Sequence, residues 1–234
     1  TPANAGHPNV CHSSTGTRWR IFVTCVTSQN TRRVSSIFPL PLRTIEDQID
    51  SVLEDVKLDA VKTGMLYSGD IAELVAKKLK RGVGPIVVDP VLAASTGALL
   101  HSTGLVEAII TKMMPICTLV TPNAPEASRM TGIEVKNEKT AREAGFEILE
   151  MGPKAVLVKG GHLKGPDAAD YLLIGNKAVK LATPRAVGDT HGTGCALASM
   201  IAAHLALDQG IEESVRNSKR MIYKAIMSRE IVGK

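Results

Sequence analysis

The run AVGDTHGTGC (186–195) ends in Gly192, Thr193, Gly194 and Cys195 and passes straight into the apolar stretch ALASMIAAHLAL. A glycine-rich lead-in lets an anion approach the unpaired amides of a helix's first turn, where the helix dipole also favours negative charge. Phosphate is the natural guest; the plain alternative is a tight turn whose glycines serve only backbone geometry. The pattern is not a Walker A loop, which needs a following Lys-Ser/Thr, nor a GxGxxG after a first strand. Cys195 at the helix start is expected to have a lowered pKa, an effect that a bound phosphate would oppose. No base-and-orienter set accompanies it, so it reads as a positioning group at a reacting centre or as a small residue that allows tight packing.

Four further residues could serve the same chemistry. Asn123 and Glu126 in TPNAPEA form an N-x-x-E pair at a strand-to-helix junction. Glu126 could reach a magnesium ion through water while Asn123 orients a phosphate, or the two could simply cap the helix. Asp89, before Pro90, is a second candidate metal ligand or a turn-forming carboxylate. Lys159 in VKGGH follows an apolar strand and would neutralise charge on a phosphoryl group, unless it is an exposed rim lysine. His162 and His191 could each donate to a phosphate, although a loop histidine is more often polar surface.

These residues need a scaffold that brings them together, and the chain predicts one. Strands are expected over 21–27, 60–66, 85–92, 117–123 and 154–161, with IFVTCVT (21–27) read as a buried strand. FPLPL reads as a proline-stiffened loop running into a helix capped by Thr44, with Ile45, Ile49, Val52 and Leu53 on its apolar face. Helices are expected over 69–81, within HSTGLVEAIITKM, APEASRMTG and TAREAGFEILEMG, and over 193–208 and 211–227. DYLLIGNKAVKLAT reads as a hairpin around Gly175-Asn176. Alternating strand, polar loop and helix imply a doubly wound α/β sheet, in which ligands bind beyond the C-terminal ends of the strands. Thr63, Gly64 and Met65, then Asp89, Asn123, Glu126, Lys159 and Gly160, all fall there. The first twenty residues show no periodicity and read as an irregular segment ahead of a single domain over 21–234.

Bulk properties fit this picture. The chain has 234 residues, 44% apolar and only 3% aromatic, which suits a Val/Ile/Leu/Ala core of a parallel sheet. The formal net charge of +5 suits an anionic ligand but is too scattered for nucleic acid; Arg18, Arg20, Arg32 and Arg33 form the one dense basic cluster. The four cysteines form no CxxC pair, and His7, Cys11 and His12 lack the second half of a tetrahedral metal set. No stretch has transmembrane length and no signal peptide is evident, so the expectation is a cytoplasmic protein without a membrane partner.

KTGML, VVDPVLAASTGALL, LVTPNAPEA, VLVKGGHL and DTHGTGC, in that order along the chain, resemble the hydroxymethylpyrimidine/phosphomethylpyrimidine kinases of thiamine biosynthesis, a branch of the ribokinase superfamily. The similarity runs from about Phe22 to Ile222. It implies a ribokinase-like fold and ATP-dependent phosphorylation of 4-amino-5-hydroxymethyl-2-methylpyrimidine, first on its hydroxymethyl group and then on the resulting monophosphate. It places residues 192–195 as the anion hole and Cys195 beside the hydroxymethyl group, where other superfamily branches carry aspartate. Gln29, Met65 and Val91 would line the pyrimidine pocket. Asn123, Lys159, His162, Thr190 and His191 would meet the nucleotide, and Asp89 and Glu126 the magnesium network. Relatives are often dimers, so a homodimer is a further expectation. The family's opening strand and AGSDSSGGAGxQADLK segment have no counterpart in TPANAGHPNVCHSSTGTRWR. A pyridoxal kinase and a catalytically impaired nucleotide-binding relative remain alternatives on the sequence.

Overall fold

The computed structural model describes residues 10–12, 18–30, 32–80, 82–94, 96–161, 163, 165, 167–185 and 192–228. His162, Thr190 and His191 lie outside these residues. Two short strands, β1 (Val10–His12) and β2 (Arg18–Arg20), pair antiparallel within the stretch expected to be irregular.

The next segment departs from the sequence reading. β3 (Cys25–Gln29) is not a buried strand of the main sheet but pairs antiparallel with β4 (Val34–Pro39) in a two-stranded ribbon. Ile21, Val23, Val26 and Phe38 are exposed, and Val26 faces Phe38 across the ribbon. β-branched composition fits any pleated strand and does not distinguish a core strand from a solvated ribbon. Pro39 can end β4 because both strands of a two-stranded ribbon are edges.

Helix α1 (Leu42–Leu53) starts directly after Pro41, whose φ of −56° leads into it with no side-chain cap, so Thr44 lies inside the first turn and is not the cap. Its face buries Ile45 and Ile49. Gln48 fastens the ribbon to this helix: its Oε1 accepts from the Val23 amide at 3.0 Å and its Nε2 donates to the Val23 carbonyl at 3.0 Å.

Strand–helix alternation then proceeds as expected, with shorter strands. β5 (Val61–Thr63), α2 (Gly69–Leu79), β6 (Ile86–Val88), α3 (Leu105–Ala108, continuing as a wider turn over Ile109–Met113 and a tighter one over Met114–Ile116), β7 (Leu119–Val120), α4 (Ala124–Thr131), α5 (Glu138–Glu150) and β8 (Ala155–Val158) follow in order. β9 (Asp167–Ile174) and β10 (Lys177–Pro184) form the hairpin around Gly175-Asn176, and α6 (Thr193–Ala206) and α7 (Ile211–Met227) complete the described chain.

Six strands form one sheet in the order β10-β9-β8-β7-β6-β5, with β5 through β8 parallel and β9 and β10 antiparallel. Successive side chains point to opposite faces of a strand. Val88, Val120, Val156 and Val158 accordingly pack with Ile45, Ile71, Leu105, Ala127 and Ile148 of α1–α5, while Val87, Leu119 and Leu157 pack with Leu197, Ile201, Leu205 and Val215 of α6 and α7. This is the ribokinase-like α/β architecture, a mostly parallel sheet covered on both faces.

The rim beyond the parallel strands is stitched by backbone hydrogen bonds. The Asp89 amide donates to the Thr63 carbonyl (3.0 Å), Thr121 to Val88 (2.9 Å) and Lys159 to Pro122 (2.8 Å). Gly64, Asp89, Asn123 and Lys159 therefore stand side by side at one end of the sheet. That is the place where a sheet of this kind offers a ligand site.

Candidate active site

Asp89 leaves β6 at its C-terminal end and is only 2% exposed. Its Oδ1 accepts from Lys159 Nζ at 2.8 Å and from the fully buried Thr121 hydroxyl at 3.1 Å. Lys62 Nζ, from β5, lies 3.9 Å from Oδ2. Burial alone pushes the carboxyl up, but the two ammonium groups outweigh it and hold Asp89 below the usual carboxylate range. Burial pushes Lys159 down, but the carboxylates of Asp89 and Glu126 reverse that and keep its ammonium protonated. Lys159 is thus a buried, firmly charged cation at the rim and not an exposed surface lysine.

Glu126 and Asn123 cap α4 reciprocally. Asn123 Oδ1 accepts from the Glu126 amide at 2.8 Å, and Glu126 Oε2 accepts from the Asn123 amide at 2.8 Å. Glu126 Oε1 also accepts from the Leu92 amide at 3.3 Å. Burial raises the pKa of this carboxyl, and the Lys159 charge only partly opposes it. Both oxygens are thus already engaged, as is Oδ1 of Asp89, and the described residues include no group of three carboxylate, histidine or cysteine side chains placed to hold a metal. The donor set does not fit a magnesium ion bound directly to the protein. It admits only a hydrated ion carried on nucleotide phosphates that meets Glu126 through water.

Helix α6 begins at Gly192, whose φ of +76° turns the chain into the helix without a side-chain cap. Its first intrahelical bond runs from Ala196 to the Gly192 carbonyl, so the amides of Gly194 and Cys195 point out of the helix start. A Cβ on Gly194 would lie 3.1 Å from Lys159 Nζ. The ammonium therefore nests against the bare backbone of this turn. Cys195 is exposed as a residue, but partial desolvation of its sulfur at this rim, and then the charge of Asp89, push the thiol up from its ordinary value. The lowered pKa expected at a helix N-terminus is overturned, because desolvation first and the nearby Asp89 carboxylate second outweigh the helix dipole.

The turn after Lys159 is braced from behind. The Gly160 amide donates to Asp170 Oδ1 at 2.9 Å, and Asp170 Oδ2 accepts from Lys219 Nζ of α7 at 2.6 Å. A Cβ on Gly160 would sit 1.8 Å from the Ala169 carbonyl oxygen, so only glycine fits.

On the other flank, Thr24 Oγ1 donates to the Met65 carbonyl at 2.8 Å and ties the β3–β4 ribbon to the end of β5. Gln29 sits exposed at the far end of β3, beside a register shift at Ser28/Gln29. Val91 has φ +44°, a strained conformation for a β-branched residue, two positions after Asp89. Lys159, Asp89 and Gly194 converge, with Cys195 beside them; Met65 and Val91 follow the ends of β5 and β6, and no contact among the described residues brings the exposed Gln29 to that centre. Sequence reasoning missed Lys62, Thr121 and Thr24. Lys62 had left a trace: a charged residue inside a short parallel strand, where apolar residues are the rule.

A buried carboxylate flanked by lysines at a helix N-terminus could serve an anion in phosphoryl transfer. The phosphomethylpyrimidine kinase family model matches residues 13–234. The chain belongs to this family. The hydroxymethylpyrimidine/phosphomethylpyrimidine kinase of Streptomyces coelicolor is 40% identical over 212 residues, covering 90% of this chain and 78% of that protein. The phosphomethylpyrimidine kinase structure from Clostridium difficile 630 is similar at 37% identity and TM-score 0.77, covering 88% of this chain and 85% of that one. The pyridoxal kinase of Staphylococcus aureus, solved with AMP-PCP and pyridoxal, is 27% identical with TM-score 0.86, covering 94% and 80%. The chain spans only 38–44% of the length of the bifunctional thiamine biosynthesis proteins it matches. Among the described residues of this family member no helix is long and apolar enough to cross a membrane.

Proposed function

We propose that the chain is a kinase that transfers the γ-phosphoryl group of ATP to 4-amino-5-hydroxymethyl-2-methylpyrimidine and then to its monophosphate, in thiamine biosynthesis. The observation that carries this reading is the Lys159–Asp89 pair lodged against the first turn of α6. In the first transfer the hydroxymethyl oxygen attacks the γ-phosphorus, the bond to the bridging β-oxygen breaks, and ADP leaves with that electron pair. Lys159 and the amides of residues 193–195 stabilise the equatorial oxygens, and positioning does most of the work. A loose transition state asks for little proton abstraction. The Cys195 thiol already holds its proton, so the weakly basic Asp89 carboxylate is the group left to receive the hydroxyl proton late.

Gln29, Met65 and Val91 are assigned to the pyrimidine, and Asn123, His162, Thr190 and His191 to the nucleotide. Magnesium belongs to this reading as the hydrated ion of the ATP phosphates, whose charge it offsets, with Glu126 and Asp89 behind water. The kinase domain is taken as residues 21–234, with 1–20 leading into it. The exposed Val26/Phe38 pair on the ribbon supports a homodimer, and the dispersed cysteines support a cytoplasmic protein.

Incubation of purified protein with ATP, magnesium and the hydroxymethylpyrimidine should release ADP and give mono- and diphosphorylated pyrimidine. Absence of both would sink the proposal. Pyridoxal is the natural comparator, given the likeness to a pyridoxal kinase; a higher kcat/KM for pyridoxal would replace the pyrimidine as substrate.

A further inference from the structure

Two lysines meet at Asp89, but only one is needed to balance it. Lys159 holds Oδ1 at 2.8 Å, while Lys62 stands 3.9 Å from Oδ2, beyond hydrogen-bond length. Both side chains are only 14% exposed. The other nearby carboxylate, Glu126, has its two oxygens on the amides of Asn123 and Leu92 and gives Lys62 no partner. Lys62 is therefore a half-satisfied cation in a largely enclosed rim, a costly arrangement unless an anion comes to it.

Its position indicates which anion. Lys62 lies on β5, three residues before Met65, whose carbonyl anchors the ribbon that carries Gln29. Lys159 lies just past the end of β8, three strands away beyond β6 and β7, against the first turn of α6. A Cβ on Gly64 would come within 2.8 Å of Lys62 Nζ, so the ammonium reaches forward past the end of its strand over bare backbone. The two lysines thus reach Asp89 from strands on either side of β6; on the kinase reading above, Lys159 stands toward the nucleotide and Lys62 toward the acceptor ring.

We propose that Lys62 binds the phosphate of the monophosphorylated acceptor and so fits the site for the second transfer. This rests on the kinase reading above. In that step a monophosphate oxygen attacks the γ-phosphorus, a P–O–P bridge forms, and the bond to the β-oxygen breaks as ADP leaves. The attacking group is an anion approaching an anionic donor, and a cation on the acceptor side offsets that repulsion. In the first transfer the acceptor is a neutral alcohol and presents no such charge.

The test is the ratio of kcat/KM for the monophosphate to that for the alcohol, measured for wild type, Lys62→Gln and Gly64→Ala, with thermal unfolding of each. Lys62→Gln leaves the shorter Lys159–Asp89 contact in place and so should fold. Loss of a charge-assisted contact to phosphate should lower the ratio by about 10- to 100-fold. Gly64→Ala should lower it by a smaller factor, because the added methyl displaces the ammonium without removing it. Equal losses on both substrates in folded Lys62→Gln would mean that Lys62 only balances Asp89, which overturns the proposal and leaves the kinase reading intact. A ratio that rises overturns it as well. Wild-type protein that phosphorylates neither acceptor would remove the kinase reading and this proposal with it.

Discussion

Replacing Lys159 by methionine keeps the length of the side chain and removes its charge. With an effective dielectric constant of about 20, an ammonium at the observed 2.8 Å interacts with Asp89 by roughly 6 kcal/mol, and Lys62 at 3.9 Å by roughly 4 kcal/mol. These are gross attractions, offset by desolvation of the buried charges. Breaking a buried pair by removing one partner costs about 3–5 kcal/mol, and the remaining Lys62 and Thr121 contacts place Lys159→Met near 3 kcal/mol. Turnover should fall further than this loss of folding explains, by about 10²–10³, the usual effect of removing one preorganised donor from a developing negative charge.

The double variant Lys159→Met/Asp89→Asn separates the two effects. It leaves no unpaired carboxylate, so stability in urea should return to within about 2 kcal/mol of wild type. Turnover, followed by ADP release at saturating ATP, should stay at least about 100-fold down. Recovery of turnover in the double variant would refute the reasoning, because Lys159 would then serve only to neutralise Asp89. So would a folded Lys159→Met with turnover within about fivefold of wild type.

Other consequences follow from the same geometry. Asp89 is held below its ordinary pKa and Lys159 above its own. The carboxylate's contribution is full above about pH 3.9 and lost as pH falls through the lower folded value, whereas the ammonium's is full below about pH 10.4 and lost only as pH rises past its folded value. The stability difference between wild type and the double variant should therefore be flat from about pH 5 to pH 9 in urea titrations and change only outside that window. The raised thiol pKa of Cys195 predicts slow alkylation by iodoacetamide at neutral pH, with a rate that climbs on the alkaline side. Fast labelling at neutral pH, traced to Cys195 by peptide mapping, would contradict it. Gly160→Ala should cost more than about 3 kcal/mol by chemical denaturation, since its Cβ would meet the Ala169 carbonyl at 1.8 Å.

The alternation of strands and helices was legible because the apolar period switches between adjacent segments, and the residues closing each parallel strand fell on the rim together. The ribbon was not legible. IFVTCVT has the composition of a core strand, and only its pairing with the proline-containing segment after it shows that Val26 and Phe38 face solvent. The helix cap failed for a related local reason: Pro41 already sets the entry dihedral, so Thr44 has no terminus to cap. At the site, sequence spacing found Asp89, Asn123, Glu126, Lys159 and Cys195 but not their electrostatics. Cys195 was expected to be acidified by its helix, and the opposing carboxylate comes from a distant strand that no local pattern connects to it.

One lysine at this rim would lose much of its charge to burial, since desolvation alone pushes Lys159 down. Asp89 prevents that, but a matched buried pair is neutral and gives an incoming phosphate no net attraction. A second lysine resolves the conflict. With Lys62 beside the same carboxylate, and the Glu126 carboxyl held above its ordinary pKa by burial, the cluster keeps Lys159 protonated and brings a second ammonium to the rim. The first turn of α6 adds its dipole in the same place. On this argument Asp89 acts chiefly as the fixed charge that lets two ammonium groups share a confined rim. Its two lysines can then face separate phosphoryl groups, which is what a kinase needs if it phosphorylates an alcohol and then the phosphate it has just made.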